Sequence, residues 1–306
     1  MTAGAPGRAA PSAARRHLRE ALVAWSFALP FLILFLVFMA GPVLVSFVMS
    51  FTDLRLVDIH HPFSVNFVGL DNFARLLGDQ KFLKAVANTA FFVIVGIPFT
   101  IALGLGAAVG LNQGVVRFRA IFRVGFYLPV VTSIVAVAVV WRLLLSADYG
   151  VVNTLLGFVG IKGPDWLHNP ATALPSLVVM AAWRNMGFLM VIFLAGLQGI
   201  PALLYEAAEI DGASAWQRFT YITLPMLRPT LLFAAVITSI GYLQFFEEPF
   251  VMTQGGPLDS TLSVAFYTYN QFGFGNYSYA ASMSYSLFLA IVGLTLVQFR
   301  FLRSDS

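Results

Sequence analysis

Apolar residues fall along this chain in long, nearly unbroken runs. They do not show the strict alternation of a half-buried strand or the narrow stripe of a water-facing helix. Six runs reach the roughly 20 residues a helix needs to cross a hydrocarbon layer: Ala21–Phe51, Ala85–Leu111, Ala120–Leu145, Ala171–Ile200, Arg228–Met252 and Tyr279–Leu302. Lipid offers the backbone no hydrogen-bond partner, so each run is predicted to be helical. Pro30, Pro42, Pro98, Pro129 and Pro175 fall in or near these runs and predict kinks that a bundle tolerates. The pattern predicts an all-α, polytopic integral membrane protein with six transmembrane helices.

The polar stretches between the runs set the organisation. Residues 1–20, rich in Ala, Pro and Arg, read as a disordered cytoplasmic arm. Residues 21–84 hold the first transmembrane helix and an external segment. Residues 85–306 form the main transmembrane domain, with an internal loop at 200–226. The first run is too long for the apolar core of a signal peptide, about 7–15 residues, and reads as an uncleaved helix.

Composition agrees with the pattern. The chain of 306 residues is 59% hydrophobic and 10% charged, with a mean hydropathy of +0.82. A soluble domain carries about 25% charged residues, so a water-facing surface for this chain is excluded. There is no cysteine, which excludes disulfides, thiolate metal sites and Cys nucleophiles.

The net charge of +4 is explained by topology, and no basic stripe for nucleic acid is present. With the N-terminus inside, Arg8, Arg15, Arg16, Arg19, Arg117, Arg119, Arg123, Arg218, Arg228, Arg300 and Arg303 face the cytoplasm. Arg55, Arg75, Lys81, Lys84, Arg142 and Lys162 lie outside. That bias places both termini in the cytoplasm and fits a multi-pass protein of a bacterial cell membrane.

The internal loop has the most distinctive composition. Pro201 suits a first helical turn, Ala202 to Asp211 are good helix formers, and Gly212 is a natural stop. Ser214 is placed to cap a second short helix ending before Pro225. Such a stub either packs as a plain connector or plugs into a partner's groove; the residues alone leave both open.

The run EAAEIDGASAWQRFTYITLP decides between them, because it resembles the EAA motif of binding-protein-dependent ABC importer permeases. Glu206, Ala207, Ala208, Asp211, Gly212, Leu224 and Pro225 match it in type and spacing. The segments VGLDNFARLLGDQKF with Asn88 and Thr89, FRAIFRVGFYLPVVTS, YGVVNTLLG, FEEPFVMTQGGP and FGFGNYSYAASMSYSLF extend the resemblance over nearly the whole chain. They point to the maltose-type carbohydrate permeases, without the large external domain of the maltose permease itself. The resemblance implies a cytoplasmic coupling helix carrying Tyr205, Glu206, Ala207, Ala208, Asp211 and Gly212, which docks on an ATPase. It also implies a second homologous permease subunit, two ATP-binding subunits and an extracytoplasmic solute-binding protein. Family members carry sugars, polyols and glycerol phosphate esters, so the solute stays open.

Arg184 lies near the middle of the fourth run. An arginine at a helix centre costs about 2.5–3.5 kcal/mol on insertion scales, so it is expected to face a wet cavity or a partner. The resemblance puts Arg184, Asn185 and Phe188 near the solute, although charge at Arg184 departs from the best-known member. Glu247 and Glu248 are candidate counter-charges, Glu248 being the more readily assigned to interfacial water. Helical spacing through the fifth run places Thr238, Gly241, Gln244 or Phe245, and Glu248 on one face. The resemblance puts Gly241 and Gln244, together with Thr132 and Ser133, near the path, and Glu247 joins them as a candidate partner of Arg184. Thr132 and Ser133 also suit helix–helix hydrogen bonding. Phe188, Phe245 and Phe246 are candidate stacking surfaces, and Tyr267, Tyr269, Tyr277 and Tyr279 read first as an interfacial aromatic belt.

No catalytic constellation, cofactor site or metal spacing is visible, and there is no phosphate-cradling GxxxxGK[ST] loop. His60 and His61 are adjacent, with His17 and His168 far off in sequence. An ion-coupled secondary transporter is the rival reading. Such folds show inverted repeats and mid-span carboxylates; this chain has no repeat, and its span carboxylates sit near an end. A membrane scaffold would not need Arg184. Within the importer class, glycerol phosphate, peptides or other polar solutes are the alternatives to sugar.

Overall fold

The computed structural model describes residues 13–58, 60, 65–112 and 118–302. Among these residues every regular element is helical, apart from one isolated antiparallel bridge between Thr52 and Phe67. Helix α1 (Ala13–Phe35) passes through a π turn, Leu36–Ala40, into α2 (Gly41–Met49). It begins inside the segment expected to be disordered; residues 1–12 of that arm lie outside the described residues. Short α3 (Asp71–Gly78) leads to α4 (Gln80–Asn112). Then come α5 (Arg119–Val131), α6 (Ile134–Leu144), short α7 (Val151–Phe158) and α8 (Pro170–Gln198). The loop forms α9 (Ala202–Ile210), α10 (Ala215–Arg218), a second π turn (Phe219–Thr223) and α11 (Leu224–Met226). Helices α12 (Arg228–Leu243), α13 (Glu247–Met252), α14 (Val264–Gly273) and α15 (Tyr277–Leu302) complete the chain.

Four stretches are long and apolar enough to cross a membrane: Glu20–Met49, Gln80–Asn112, Ala173–Gln198 and Tyr277–Phe301. Two bent pairs bring the number among the described residues to as many as six when each pair is taken as one span. Helices α5 and α6 meet at 101°, and the 215–226 segment meets α12 at 68°. The third expected span is therefore broken rather than kinked at Pro129. Thr132 and Ser133 both leave the helical region, and the Thr132 hydroxyl donates to the Leu128 carbonyl at 2.9 Å, satisfying a helix-end acceptor. The fifth expected span also stops early. Gln244 to Phe246 separate α12 from α13, so one continuous face through Thr238, Gly241, Gln244 and Glu248 does not exist.

Both π turns stand in the same relation to a proline. Pro42 and Pro225 have no N–H for the carbonyl four residues back, and their rings crowd it. One turn earlier the helix widens, with Gly41 N–H donating to Leu36 and Leu224 N–H to Phe219, five residues back. The helix thereby runs on past Pro225 to Met226 instead of ending before it, as widening by one residue relieves the clash.

Helices α4 and α8 form the broadest pair, with α5 on α8, α12 on α4, and α15 on α12 and α14. One apolar core joins Phe92, Leu177, Met180 and Tyr242, and a second joins Leu105, Leu189, Phe193 and Leu227. Close approach of α5 to α8 needs Gly187, since a Cβ there would sit 1.9 Å from the Phe126 carbonyl oxygen. The first span has no buried residue in its most apolar stretch. It touches the bundle through Ser46 and Tyr285, whose hydroxyls are 2.9 Å apart.

At the end of the bundle holding α3 and α14, side chains reach across long sequence separations. Asn88 Nδ2 donates to the Asp259 and Leu262 carbonyls at 2.8 and 2.9 Å, and Val264 N–H donates to Thr89 Oγ1. Tyr267 and Tyr279 hydroxyls donate to Asp79 Oδ2 at 2.8 and 2.7 Å. Both tyrosines are buried; they are internal ties and not part of an interfacial belt. Burial pushes the Asp79 carboxyl up, but hydrogen bonds from Tyr279, Tyr267 and the Phe82 and Lys81 N–H groups outweigh it and hold it below its ordinary 3.8. Burial and the Asp79 carboxylate together push Tyr267 up to about 12.

Candidate functional site

The 200–229 loop is a rigid arm whose shape is set locally. Helix α9 ends in paired bonds, Ala213 N–H to the Ala208 carbonyl and Gly212 N–H to Glu209, the Schellman arrangement. It requires the left-handed φ of +77° at Gly212, which a side chain would strain by about 1–2 kcal/mol. Two residues on, Ser214 and Gln217 form a reciprocal capping box that starts α10, satisfying two helix-end donors at once. The arm is tied back by Tyr205 OH to Thr223 Oγ1 at 2.9 Å and by Arg218 to Glu209 at 3.1 Å. Glu206, Ala207, Asp211 and Gly212 are exposed, while Tyr205 and Ala208 are half-buried. Ile210 is 87% exposed and Trp216 71%, so the tip presents large apolar groups that stay exposed among the described residues.

Behind the arm lies a cleft of about 900 Å³. Ala102, Gly106 and Asn112 of α4 line one side, and Tyr205, Trp216 and Phe219 the other. This cleft was not foreseen, because its two walls are about a hundred residues apart in sequence.

A second polar locus sits inside the bundle. Tyr242 OH and Thr100 Oγ1 are 2.7 Å apart, joining α12 to α4. Asn185 Nδ2 donates to the Ala181 carbonyl at 2.8 Å, and Asn185, Arg184 and Glu248 all lie near enough to act on the Tyr242 hydroxyl. Arg184 is half-buried, and its Nε has no hydrogen-bond partner. The expected counter-charges are reversed. Glu247 is exposed, whereas Glu248 is 5% exposed with an unpartnered Oε2. The packing of α13 on α6 and α8 covers Glu248.

The remaining expected path residues divide. Thr132, Ser133, Gly241 and Gln244 are exposed, and no hydrogen bond among the described residues joins them to Arg184. Phe188 is half-buried against the second core. Phe245 is not available for stacking on a solute: it is buried and lies 3.9 Å from Phe92, ring on ring. Phe246 packs among Phe250, Phe266 and Tyr269. Among the described residues no cluster of His and carboxylates is placed to hold a metal ion; His61 lies outside them.

Residues 100–302, about two thirds of the chain, match the family model described as the binding-protein-dependent transport system inner membrane component. The chain belongs to this family. It is a multi-pass membrane permease, the transport subunit of an ABC importer. It is 38% identical over 281 residues to the lactose transport system permease protein LacF of Rhizobium radiobacter, covering 90% of this chain and 92% of the relative. It is 33% identical over 279 residues to the trehalose/maltose transport system permease protein MalF of Thermococcus litoralis, covering 91% and 93%. Among solved structures, the permease resembles a chain of a bacterial ABC transporter that imports the acidic polysaccharide alginate, with a TM-score of 0.81 at 26% identity, covering 95% and 98%. It also resembles a chain of a bacterial alginate ABC transporter in complex with an alginate pentasaccharide-bound periplasmic protein, with a TM-score of 0.80 at 26% identity, covering 94% and 96%.

Proposed function

We propose that this permease forms, with a second homologous permease, the translocation path for a sugar or sugar-like solute handed over by an extracytoplasmic binding protein. Two separate ATP-binding subunits drive it from the cytoplasm, where both termini lie. The observation that carries the reading is the arm: a locally locked pair of short helices with Glu206, Asp211 and Ile210 exposed at its tip. In this role Tyr205, Glu206, Ala207, Ala208, Asp211 and Gly212 transmit ATPase closure into the bundle. Tyr205 does so through Thr223, which is followed by α11 and then, past the 68° bend, by α12.

The solute path uses Arg184, Asn185 and Phe188 of α8, Gly241 and Gln244 at the end of α12, Glu247 beyond it, and Thr132 and Ser133 at the α5–α6 break. Polar positions exposed within broken spans are what a path shared between two subunits requires, because backbone off the helix is tolerated only where it lines protein or water. Sugar transport in the relatives favours sugar over glycerol phosphate or peptide.

The test is uptake of labelled sugars by cells with and without the chain, with ATP depletion separated from collapse of the proton gradient. Loss of one sugar's ATP-dependent uptake supports the reading. Uptake that follows the gradient replaces it with an ion-coupled transporter.

A further inference from the structure

Arg184 and Glu248 stand on helices that pack together, α8 and α13. No ion pair within 4.0 Å joins them. Each keeps one buried polar atom without a hydrogen-bond partner, Nε of Arg184 and Oε2 of Glu248. Buried groups in native structures are almost always satisfied, and an unpartnered basic and an unpartnered acidic atom on two packed helices are a costly arrangement. The carboxylate is carried on the first turn of a six-residue helix. That helix is joined to α12 only through Gln244–Phe246, where Phe246 has φ −141° and ψ −48°. Phe245 and Phe246 are themselves packed, so the freedom lies elsewhere: α13 packs broadly on α6 and only lightly on α8, and α6 and α13 can shift together against α8. The other groups facing the locus are Tyr242, held by Thr100, the Asn185 amide, and Glu247, which adds a like charge beside Glu248.

We propose that Glu248 is the counter-charge of Arg184, and that the two close into a direct ion pair in the opposite state of the transport cycle as α13 moves with α6 against α8. The pair is a positioning device: it favours one state of the path by being made in that state alone. It rests on the alternating-access reading above, but is independent of which solute is carried. It also explains how an arginine persists in mid-span, with its charge answered across the bundle in one state of the cycle instead of by lipid.

The chain has no cysteine, so paired labels are unique within it, and in the complex once the partner subunits are made cysteine-free. Spin labels at Val179→Cys on α8 and Val251→Cys on α13 report their separation in the reconstituted complex, nucleotide-free and locked with ATP. The expected result is a label distance shorter in one state by a few ångströms. The change disappears in Glu248→Gln and returns in the swapped variant Arg184→Glu/Glu248→Arg. In uptake, each neutralised single variant loses about tenfold or more, as breaking a buried pair predicts, and the swap recovers most of it. An unchanged distance between the two states overturns the proposal, as does a change that survives Glu248→Gln. If Glu248→Gln fails to assemble, the label pair in the otherwise native chain still decides by its two-state comparison. Failure of the transport reading shows separately, as uptake that does not depend on ATP.

Discussion

The two ends of this bundle are held together by different means. At the α3/α14 end, Asn88, Thr89 and Asp79 bind groups more than 170 residues away in sequence, and Tyr267 and Tyr279 are buried to do so. At the arm end, the decisive bonds span five residues or fewer, the paired closure at Gly212 and the capping box at Ser214. One end is a frame made by tertiary contact, and the other a preformed lever with its outer surface left bare. A lever that must move with a partner needs a shape that survives the motion, and local bonds supply it. A frame must keep long helices in register, and only long-range bonds do that.

The contrast breaks most visibly at Asn88. Replacing it with Ala strips donors from two carbonyls, at about 1–3 kcal/mol for each group left unsatisfied. Thermal unfolding of the purified complex should shift clearly downward, while ATPase coupling per folded complex is retained. If coupling fails without loss of stability, the frame and the lever are not separate.

Gly212→Val tests the other side. Its left-handed backbone makes the side chain cost about 1–2 kcal/mol, confined to an exposed turn. Transport per ATP hydrolysed should fall steeply with little change in unfolding temperature. A large stability loss with intact coupling would reverse the assignment of the two ends.

Ser214→Ala is expected to cost about 1 kcal/mol, the usual worth of an N-cap. Amide exchange should quicken in α10 and not at Asn88 or Val264.

The smallest effect is pH-dependent. Asp79 has a depressed pKa in the folded chain. Its contribution is therefore complete above the unfolded value near 3.8 and is lost as pH falls through the folded one. Wild-type protein should loosen around α14 on acidification in that range, and Asp79→Asn should lack that step; a step of equal size in both would remove Asp79 as its source.

Much of this was legible from residue order. The runs for α4, α8 and α15 were long enough that their apolar length alone gave their place, and the Gly212 and Ser214 signals gave the shape of the arm. The break at Thr132–Ser133 escaped, since neither residue is a helix breaker and the visible signal, Pro129, lies inside the intact helix α5. The burial of Glu248 escaped for another reason: near the end of an apolar run interfacial water is the simplest partner for a carboxylate, and only the packing of α13 on α6 and α8 covers it. The tyrosines read as a belt because their composition matches one, and only the reach of Asp79 distinguishes a tie from a belt.

The sequence by itself determined that the chain is helical and membrane-spanning, where the arm lies, and how it is capped. Those properties depend on the length of apolar runs and on bonds between near neighbours, both written in residue order. The tertiary structure decided which carboxylate faces Arg184, which aromatics are already covered, and where the spans break. Each of those depends on what a distant helix brings to the spot, and in a low-dielectric interior that neighbour, more than the residue type, sets whether a charge or a ring is satisfied.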